Sequence, residues 1–229
     1  MKFFLLLLPL LIISCSQNTA TKSINKKIYL ENTKQLTFVG DNGEAYFSRD
    51  NKKLIFQSKR DGNECDKIYT MTAEGDNIRI IPHSEGAFTC SYYSIDDKNI
   101  FFSSTMQDGP ECPEVYKDPN PRKYIWPLRN YDIYKLSNSN ILKNLSLSEG
   151  YDAEATVHPY EKKIIFTSLR NGDIDLYEMD YDGKNLKRIT SRFGYDGGAF
   201  YSPNGEKIVW RAWYPDTDED RAKWINNLK

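Results

Sequence analysis

A chain of 229 residues, 39% hydrophobic and 14% aromatic, holds enough apolar material for a substantial core. Its charged residues, 28% of the total, nearly cancel to a net charge of −1, and lysines and arginines are scattered among aspartates and glutamates. That pattern excludes a nucleic-acid partner held on a basic patch interleaved with aromatics.

The first residues form a targeting segment. Lys2 gives a thin positive start, residues 3–13 an apolar run of secretory length, and Ile12-Ile13-Ser14-Cys15 closes it with a small residue before a cysteine. Residues 1–14 read as a signal segment, short for a membrane span. The closing residues resemble a bacterial lipobox, which implies a lipid on Cys15 and attachment to the membrane through it. An ordinary cleaved signal with a chance cysteine is the alternative. Residues 15–25 are a polar, flexible tether. Ser16 in place of aspartate after the cysteine favours, by the enterobacterial sorting pattern, the outer membrane, facing the periplasm.

From residue 26 the chain becomes a series of short strands. Residues 26–37, KKIYLENTKQLT, read as a strand whose ending resembles residues 186–190 and 141–146, where such a segment is the outermost of four. At the chain start it would complete the last blade and cover an edge. In blade one, strands fall at residues 45–48, 54–58, 68–71 and 78–81, with turns at Asp61-Gly62 and Glu74-Gly75-Asp76. Blade two begins with residues 88–104 and carries an insertion at 110–130. This insertion holds five prolines, Trp126 and two tyrosines, so it is a packed surface loop rather than a helix. It either carries binding specificity or covers one face as a lid. Blade three has strands at 155–157, 163–168, 175–179 and 186–190, and its Ile164-Ile165-Phe166 is continuously apolar, as in a strand covered on both faces. Residues 194–212 open a fourth copy, followed by an acidic stretch at 216–220 and a helix-like segment at 221–228.

Aligned on the residue that opens the first turn, Ser48, Ser94, His158 and Ser202 recur about every 45 residues, stretched to about 64 across the insertion. The fold class is all-β, a β-propeller of four-stranded blades with about three and a half blades in residues 26–229. Because a ring takes about 4 to 8 blades, the sequence reads as C-terminally incomplete.

Ser202-Pro203-Asn204-Gly205-Glu206-Lys207-Ile208 resembles the Ser-Pro-Asp-Gly-Lys-x-Ile core of the WD40-like repeats in TolB-type propellers, and residues 182–190 resemble the Asp-Gly-x-Asn-x-x-x-Leu-Thr segment that follows it. Arg49-Asp50-Asn51, Ile95-Asp96-Asp97 and Pro159-Tyr160-Glu161 depart from the Pro-Asp-Gly turn without disturbing the periodicity. Residues 108–112, 131–134 and 150–155 are similar to a lipoprotein-like subgroup. The resemblance implies a non-catalytic platform for proteins or peptides in the bacterial envelope.

Strand starts and the loops between second and third strands return to one propeller face. They gather Asp41, Glu44, Glu85, Asp152, Glu154 and Asp196 with Asp61, Glu64, Asp108 and Glu111. Such a ring could hold Ca²⁺ or receive a basic peptide. The plainer reading is that each Asp after Gly-Tyr fixes the inter-blade turn. Trp126 of the insertion joins the binding-face candidates.

Cys65, Cys90 and Cys112 map to the same face, and in an oxidising compartment two should pair. Cys90 with Cys65 or Cys112 is the expected bond. A zinc site adding His83 has no supporting spacing, so no metal is assigned. No G-x-S-x-G, H-E-x-x-H or Walker-type motif is present, and His158 stands where sister repeats carry a turn serine. Two functions follow: a lipid-anchored, non-enzymatic binding propeller, or the N-terminal propeller of a larger envelope hydrolase whose catalytic domain lies beyond residue 229.

Overall fold

The computed structural model describes residues 30–83, 85–114, 116, 119–120 and 126–228. The signal segment, the tether and Cys15 lie outside them. The chain divides into two units, 1–35 and 36–229, and the repeats occupy the second.

Each repeat folds as an antiparallel meander. Blade one is β1 (Asp41–Phe47), β2 (Lys53–Lys59), β3 (Lys67–Thr72) and β4 (Arg79–Ile80); blade two is β5 (Phe88–Tyr93), β6 (Asn99–Ser104), β7 (Asp132–Ser137) and β8 (Leu142–Asn144). Blade three is β9 (Asp152–Val157), β10 (Lys163–Ser168), β11 (Asp175–Asp180) and β12 (Lys187–Arg188). Blade four contributes β13 (Tyr195–Tyr201) and β14 (Ile208–Trp213), followed by α1 (Asp218–Asn227). The helix starts before the expected residue 221 because Thr217 caps it, accepting from the Asp220 N–H at 3.1 Å, and acidic residues in the first turn suit the positive end of its dipole.

Residues 30–37 carry no strand, and 26–29 lie outside the described residues. The expected outermost strand is therefore absent from the described part of that stretch. An outermost strand needs a third strand to pair with, and the described residues of blade four form two strands. Leu36 instead packs on Leu54, Phe56, Tyr69 and Met71 of blade one.

The second strand is the spine of each blade. Phe56, Phe102 and Phe166 occupy equivalent positions, fully buried, each directly across from a tyrosine of the third strand: Tyr69, Tyr134 and Tyr177. Ring centroids in these pairs lie 5.9, 5.9 and 6.1 Å apart. At the same position in blade four stands Trp210, 40% exposed, since β14 has no third strand against it among the described residues.

Neighbouring blades are joined by backbone. The carbonyls of Asp66, Tyr131 and Ile174, just before or at the start of the third strands, accept from Phe88, Asp152 and Asp196 N–H of the next inner strand at 3.0, 2.8 and 3.0 Å. Turn chemistry also repeats. Ser48, Ser94 and Ser202 hydroxyls donate to Asp50, Asp96 and Asn204 and accept from the N–H of Lys53, Asn99 and Lys207. His158 replaces the hydroxyl with an imidazole, whose Nδ1 accepts from the N–H groups of Tyr160 and Glu161, which leaves Nε2 to donate to the Gly205 carbonyl.

Candidate functional site

The inner strands β1, β5, β9 and β13 share one irregularity. Each pairs with its second strand through a register shift, a β-bulge, and at each bulge one residue takes a left-handed backbone: Glu44 (φ 50°), Cys90 (52°), Glu154 (61°) and Gly198 (64°). The left-handed region costs a non-glycine residue on the order of 1–2 kcal/mol, so three such residues at equivalent places mark a constrained layer. Part of the constraint comes from the preceding blade. Gln57 Oε1 accepts from the Cys90 N–H at 3.1 Å and from the Thr89 hydroxyl at 2.7 Å; Thr167 Oγ1 accepts from the Gly198 N–H at 3.2 Å and donates to Glu154 Oε2 at 2.8 Å. Glycine at 198 takes this left-handed backbone without strain and leaves room for the Arg211 guanidinium, which lies 2.7 Å from where a Cβ would stand.

Two residues further along each strand comes a second layer, Tyr46, Tyr92, Thr156 and Phe200. Its rings meet, with centroids 4.9 Å apart for Tyr46 and Tyr92 and 5.8 Å for Tyr46 and Phe200. The two layers enclose a pocket of about 200 Å³ lined also by Ser91 and Arg211. Arg211 is paired with Glu154. Burial, opposed by the adjacent Cys90 and reinforced by Glu154, raises the Glu44 carboxyl above its ordinary pKa. Burial and Glu44 push the Cys90 thiol well above its usual value, so it is neutral.

Of the acidic residues expected on this face, only Glu44 and Glu154 meet in the pocket. Asp152 and Asp196 are buried at the strand starts. Asp152 Oδ2 accepts from Arg170 at 2.9 Å, and Arg170 also donates to Ser168 and lies over the Phe166 and Tyr177 rings. Blade one repeats this lock with Asn42 in the aspartate's place: Arg60 donates to Asn42 Oδ1 at 2.9 Å and to Ser58, over Phe56 and Tyr69. Asp196 Oδ1 instead accepts from Trp210 Nε1 at 2.8 Å and the Tyr214 hydroxyl at 2.6 Å. Glu85 and Glu111 are exposed, and Asp108 accepts from the Asn130 side chain at 2.7 Å. Among the described residues no three His, Cys, Asp or Glu side chains converge as a metal-holding group.

The cysteine expectation is corrected. Cys65 bonds Cys112, with Cα atoms 5.6 Å apart, and Cys90 is a free, buried thiol. Cys65 and Cys112 sit on equivalent loops of adjacent blades, whereas Cys90 occupies the inner-strand bulge, its thiol held against Thr89 Oγ1. The disulfide fixes the base of the insertion, which is pinned further by Pro110 C=O accepting from Gly86 N–H at 2.9 Å and by Gln107 donating to Asn130 C=O at 2.7 Å. Trp126 then stacks on Tyr131, which meets Tyr151 edge-on. Closing a loop across 47 positions contributes about 2–4 kcal/mol, so Cys112→Ser should lower the unfolding free energy by that amount. Reductant should shift the wild-type denaturation midpoint equally and leave the variant unmoved; coincident midpoints for oxidised and reduced wild type would remove the bond as a stabiliser.

Sequence reasoning missed the bulge layer, Arg211 and the two arginine locks. One signal was present: Gly198, mid-strand and aligned with Glu154, marks a bulge.

No protein-family profile matches the chain. A 50-residue stretch, 22% of the chain, is 38% identical to the Tol-Pal system protein TolB of Geobacter sulfurreducens, of which it covers 12%. Among solved structures, TolB from Acinetobacter baumannii superposes with a TM-score of 0.60 at 21% identity, covering 78% of this chain and 39% of that one. A TolB-assigned protein from Agrobacterium tumefaciens gives 0.57 at 21% identity, covering 75% and 54%. The chain thus spans little more than half of these relatives at most. With three full four-stranded blades, a fourth begun and these superpositions, the chain has the TolB-type, blade-built all-β propeller fold.

Proposed function

We propose that this chain is a lipid-anchored, non-enzymatic propeller of the bacterial envelope that binds a protein or peptide partner on the face where the inner strands start. The observation that carries this reading is the insertion: its base is tied by the Cys65–Cys112 bond and by Asn130 beside the starts of the inner strands, with Trp126 stacked on Tyr131. A long loop fixed to a rigid scaffold is the usual bearer of specificity. Lipid on Cys15 would hold the propeller at the membrane. No helix among the described residues is long and apolar enough to cross one.

A photo-crosslinking residue at Tyr116, an exposed position of the insertion, should give a discrete protein adduct in the native envelope. The same residue at Tyr160, exposed in the turn at the other end of β9, should not. Equal labelling at both positions, or none at Tyr116, would refute the assignment of the face. Cys15→Ala should move the protein from the membrane fraction to the soluble fraction; retention there would refute the anchor.

A further inference from the structure

The seam between blades one and two is open at the end opposite the inner-strand starts, and the repeat shows what it lacks. In the seam between blades two and three, Tyr181 follows β11 and is 7% exposed, its ring 4.6 Å from Phe101 and its hydroxyl accepting from the Ile95 N–H at 3.3 Å. In the same cluster Ile164 is fully buried. The counterpart of Tyr181 in blade two is Asn138: Tyr181 N–H donates to the Lys162 carbonyl at 2.9 Å, and Asn138 N–H to the equivalent Lys98 carbonyl at 2.8 Å. Asn138 is exposed, and Ile100, the counterpart of Ile164, is only half-buried. Tyr93 is larger than its counterpart Val157 and takes part of the space, yet a groove of about 440 Å³ remains.

The filled seam also satisfies its cations. Lys143 donates to the Asp182 carbonyl at 2.5 Å and Lys135 to the Tyr181 carbonyl at 2.8 Å. Arg79 stands where Lys143 does, opposite Thr70 as Lys143 is opposite Lys135. Arg79, Lys53 and Lys98 all line the open groove, and among the described residues none of them forms an ion pair or a side-chain hydrogen bond. Strand alternation puts Lys53 on the face of Ile55, and the pairing of Ile55 with Thr70 and of Thr70 with Arg79 puts Arg79 on that face as well. Ile55 packs in the core shared with blade two, so both cations stand on the side of the groove. Asp97, the acid that lines it, has both oxygens taken by the Arg49 and Asp50 N–H groups at 2.7 and 3.0 Å, and Asp50 accepts from Ser48 and Lys52 within its own turn. Three cations thus frame an apolar floor without an anion opposite them, a setting that concentrates anions.

We propose that this groove binds an aromatic organic anion, with its ring over Ile100 where Tyr181 covers Ile164 in the next seam, and its charged oxygens among Lys53, Arg79 and Lys98. The filled seam is the template: one ring on the isoleucine, and oxygen acceptors for the cations. An inorganic anion would leave the floor uncovered, and a neutral ring would leave the cations unmatched. Carboxylate and phosphate both suit a guanidinium fork flanked by two ammonium groups, so the class is set by the ring and the charge together. The volume falls within the roughly 300–1,000 Å³ of small-molecule sites. This site lies at the other end of the inner strands from the partner-binding face and stands independently of it.

The test is calorimetric titration of the full chain with phenylacetate and phenyl phosphate, with phenethyl alcohol and acetate as comparators. Saturable binding of at least one aromatic anion is expected, with the alcohol and acetate each at least about tenfold weaker than that anion. Arg79→Gln combined with Lys98→Gln removes two exposed charges and should weaken binding at least about fivefold. Asn138→Tyr rebuilds the plug of the neighbouring seam and should abolish binding. All three residues are exposed, so the thermal transition should stay within a few degrees of wild type. If the tyrosine lowers it further, the charge variant alone decides. Non-saturable heats, the alcohol or acetate binding as tightly as the aromatic anion, or binding unmoved by the charge variant or by a folded Asn138→Tyr would overturn the proposal. N-acetylphenylalanine beside its amide separates the sources. The acid binding more tightly than phenylacetate, with the amide silent, assigns the anion to the last residue of a polypeptide; weaker binding assigns it to a free aromatic acid.

Discussion

Phe102→Ala is expected to lower the unfolding free energy by about 3–5 kcal/mol. In a domain of this size that corresponds to roughly 10 °C in Tm. Phe102 is fully buried, 5.2 Å from the Phe88 ring and 5.9 Å from Tyr134, in a cluster that takes Ile55, Ile68 and Ile81 from blade one and Leu136 from blade two. Its ring fills the seam between two blades. β6 is held on both sides by strand pairing, so the walls have little freedom to collapse into the vacated space. Trp210→Ala is the internal comparison. It alters the equivalent position of blade four, where the side chain is 40% exposed, and should cost markedly less. Chemical denaturation of the two variants gives the comparison directly; equal losses, or a Phe102 loss below about 1 kcal/mol, would contradict the role of the seam as an apolar joint between blades one and two.

Asp152→Ala should be comparably severe, and Asp152→Asn mild. Removing the carboxylate leaves the Arg170 guanidinium, whose side chain is 14% exposed, without its charge partner, a change that costs about 3–5 kcal/mol for buried pairs. Asparagine keeps an oxygen for Arg170 to donate to. The chain already uses that solution in blade one, where Asn42 receives Arg60 in the same geometry. The neutral substitution should therefore cost about 1 kcal/mol, the scale of one altered hydrogen bond. The pH dependence has a definite sign. Burial outweighs Arg170 and raises the Asp152 pKa, so the folded chain holds this proton at pH values where the unfolded chain has released it. The group's contribution to stability thus falls as pH rises from the ordinary aspartate pKa through the folded one. Asp152→Asn should flatten that part of the stability curve; an unchanged slope, or equal losses for the alanine and asparagine variants, would refute the lock.

The blade count and the strand positions were legible because the repeat writes the same pattern several times: a turn serine, an apolar second strand, and a glycine turn before the third. Where a repeat departs from consensus the pattern still held, as at His158, which caps its turn with an imidazole instead of a hydroxyl. The interior of the inner strands was not legible. Glutamate and cysteine have no preference for left-handed backbone, so nothing in Glu44, Cys90 or Glu154 announces a bulge; only Gly198 does. The cysteine pairing failed for the same reason, since the bulge moves Cys90 into the pocket and away from the loops that carry Cys65 and Cys112. Asp152 and Asp196, placed together by their shared position after Gly-Tyr, turn out to serve different neighbours, because blade four has Tyr214 where blade three has Arg170. Residues 30–37 show the limit of local likeness: they match the ending of an outermost strand in sequence, yet form no strand, and Leu36 packs on the blade-one core.

The backbone joints between blades bear on how the molecule comes apart. Asp66, Tyr131 and Ile174 each receive one amide from the adjacent blade and from no blade further away. Backbone coupling is thus nearest-neighbour, as in a chain of dominoes, with the Tyr46 and Phe200 rings as a separate contact between the inner strands of blades one and four. Blade three, with a full blade on one side and β13 on the other, is supported from both directions, while among the described residues β14 pairs with β13 alone. A break at one of these joints is therefore felt first by the two blades it links, and order is lost along the array one joint at a time.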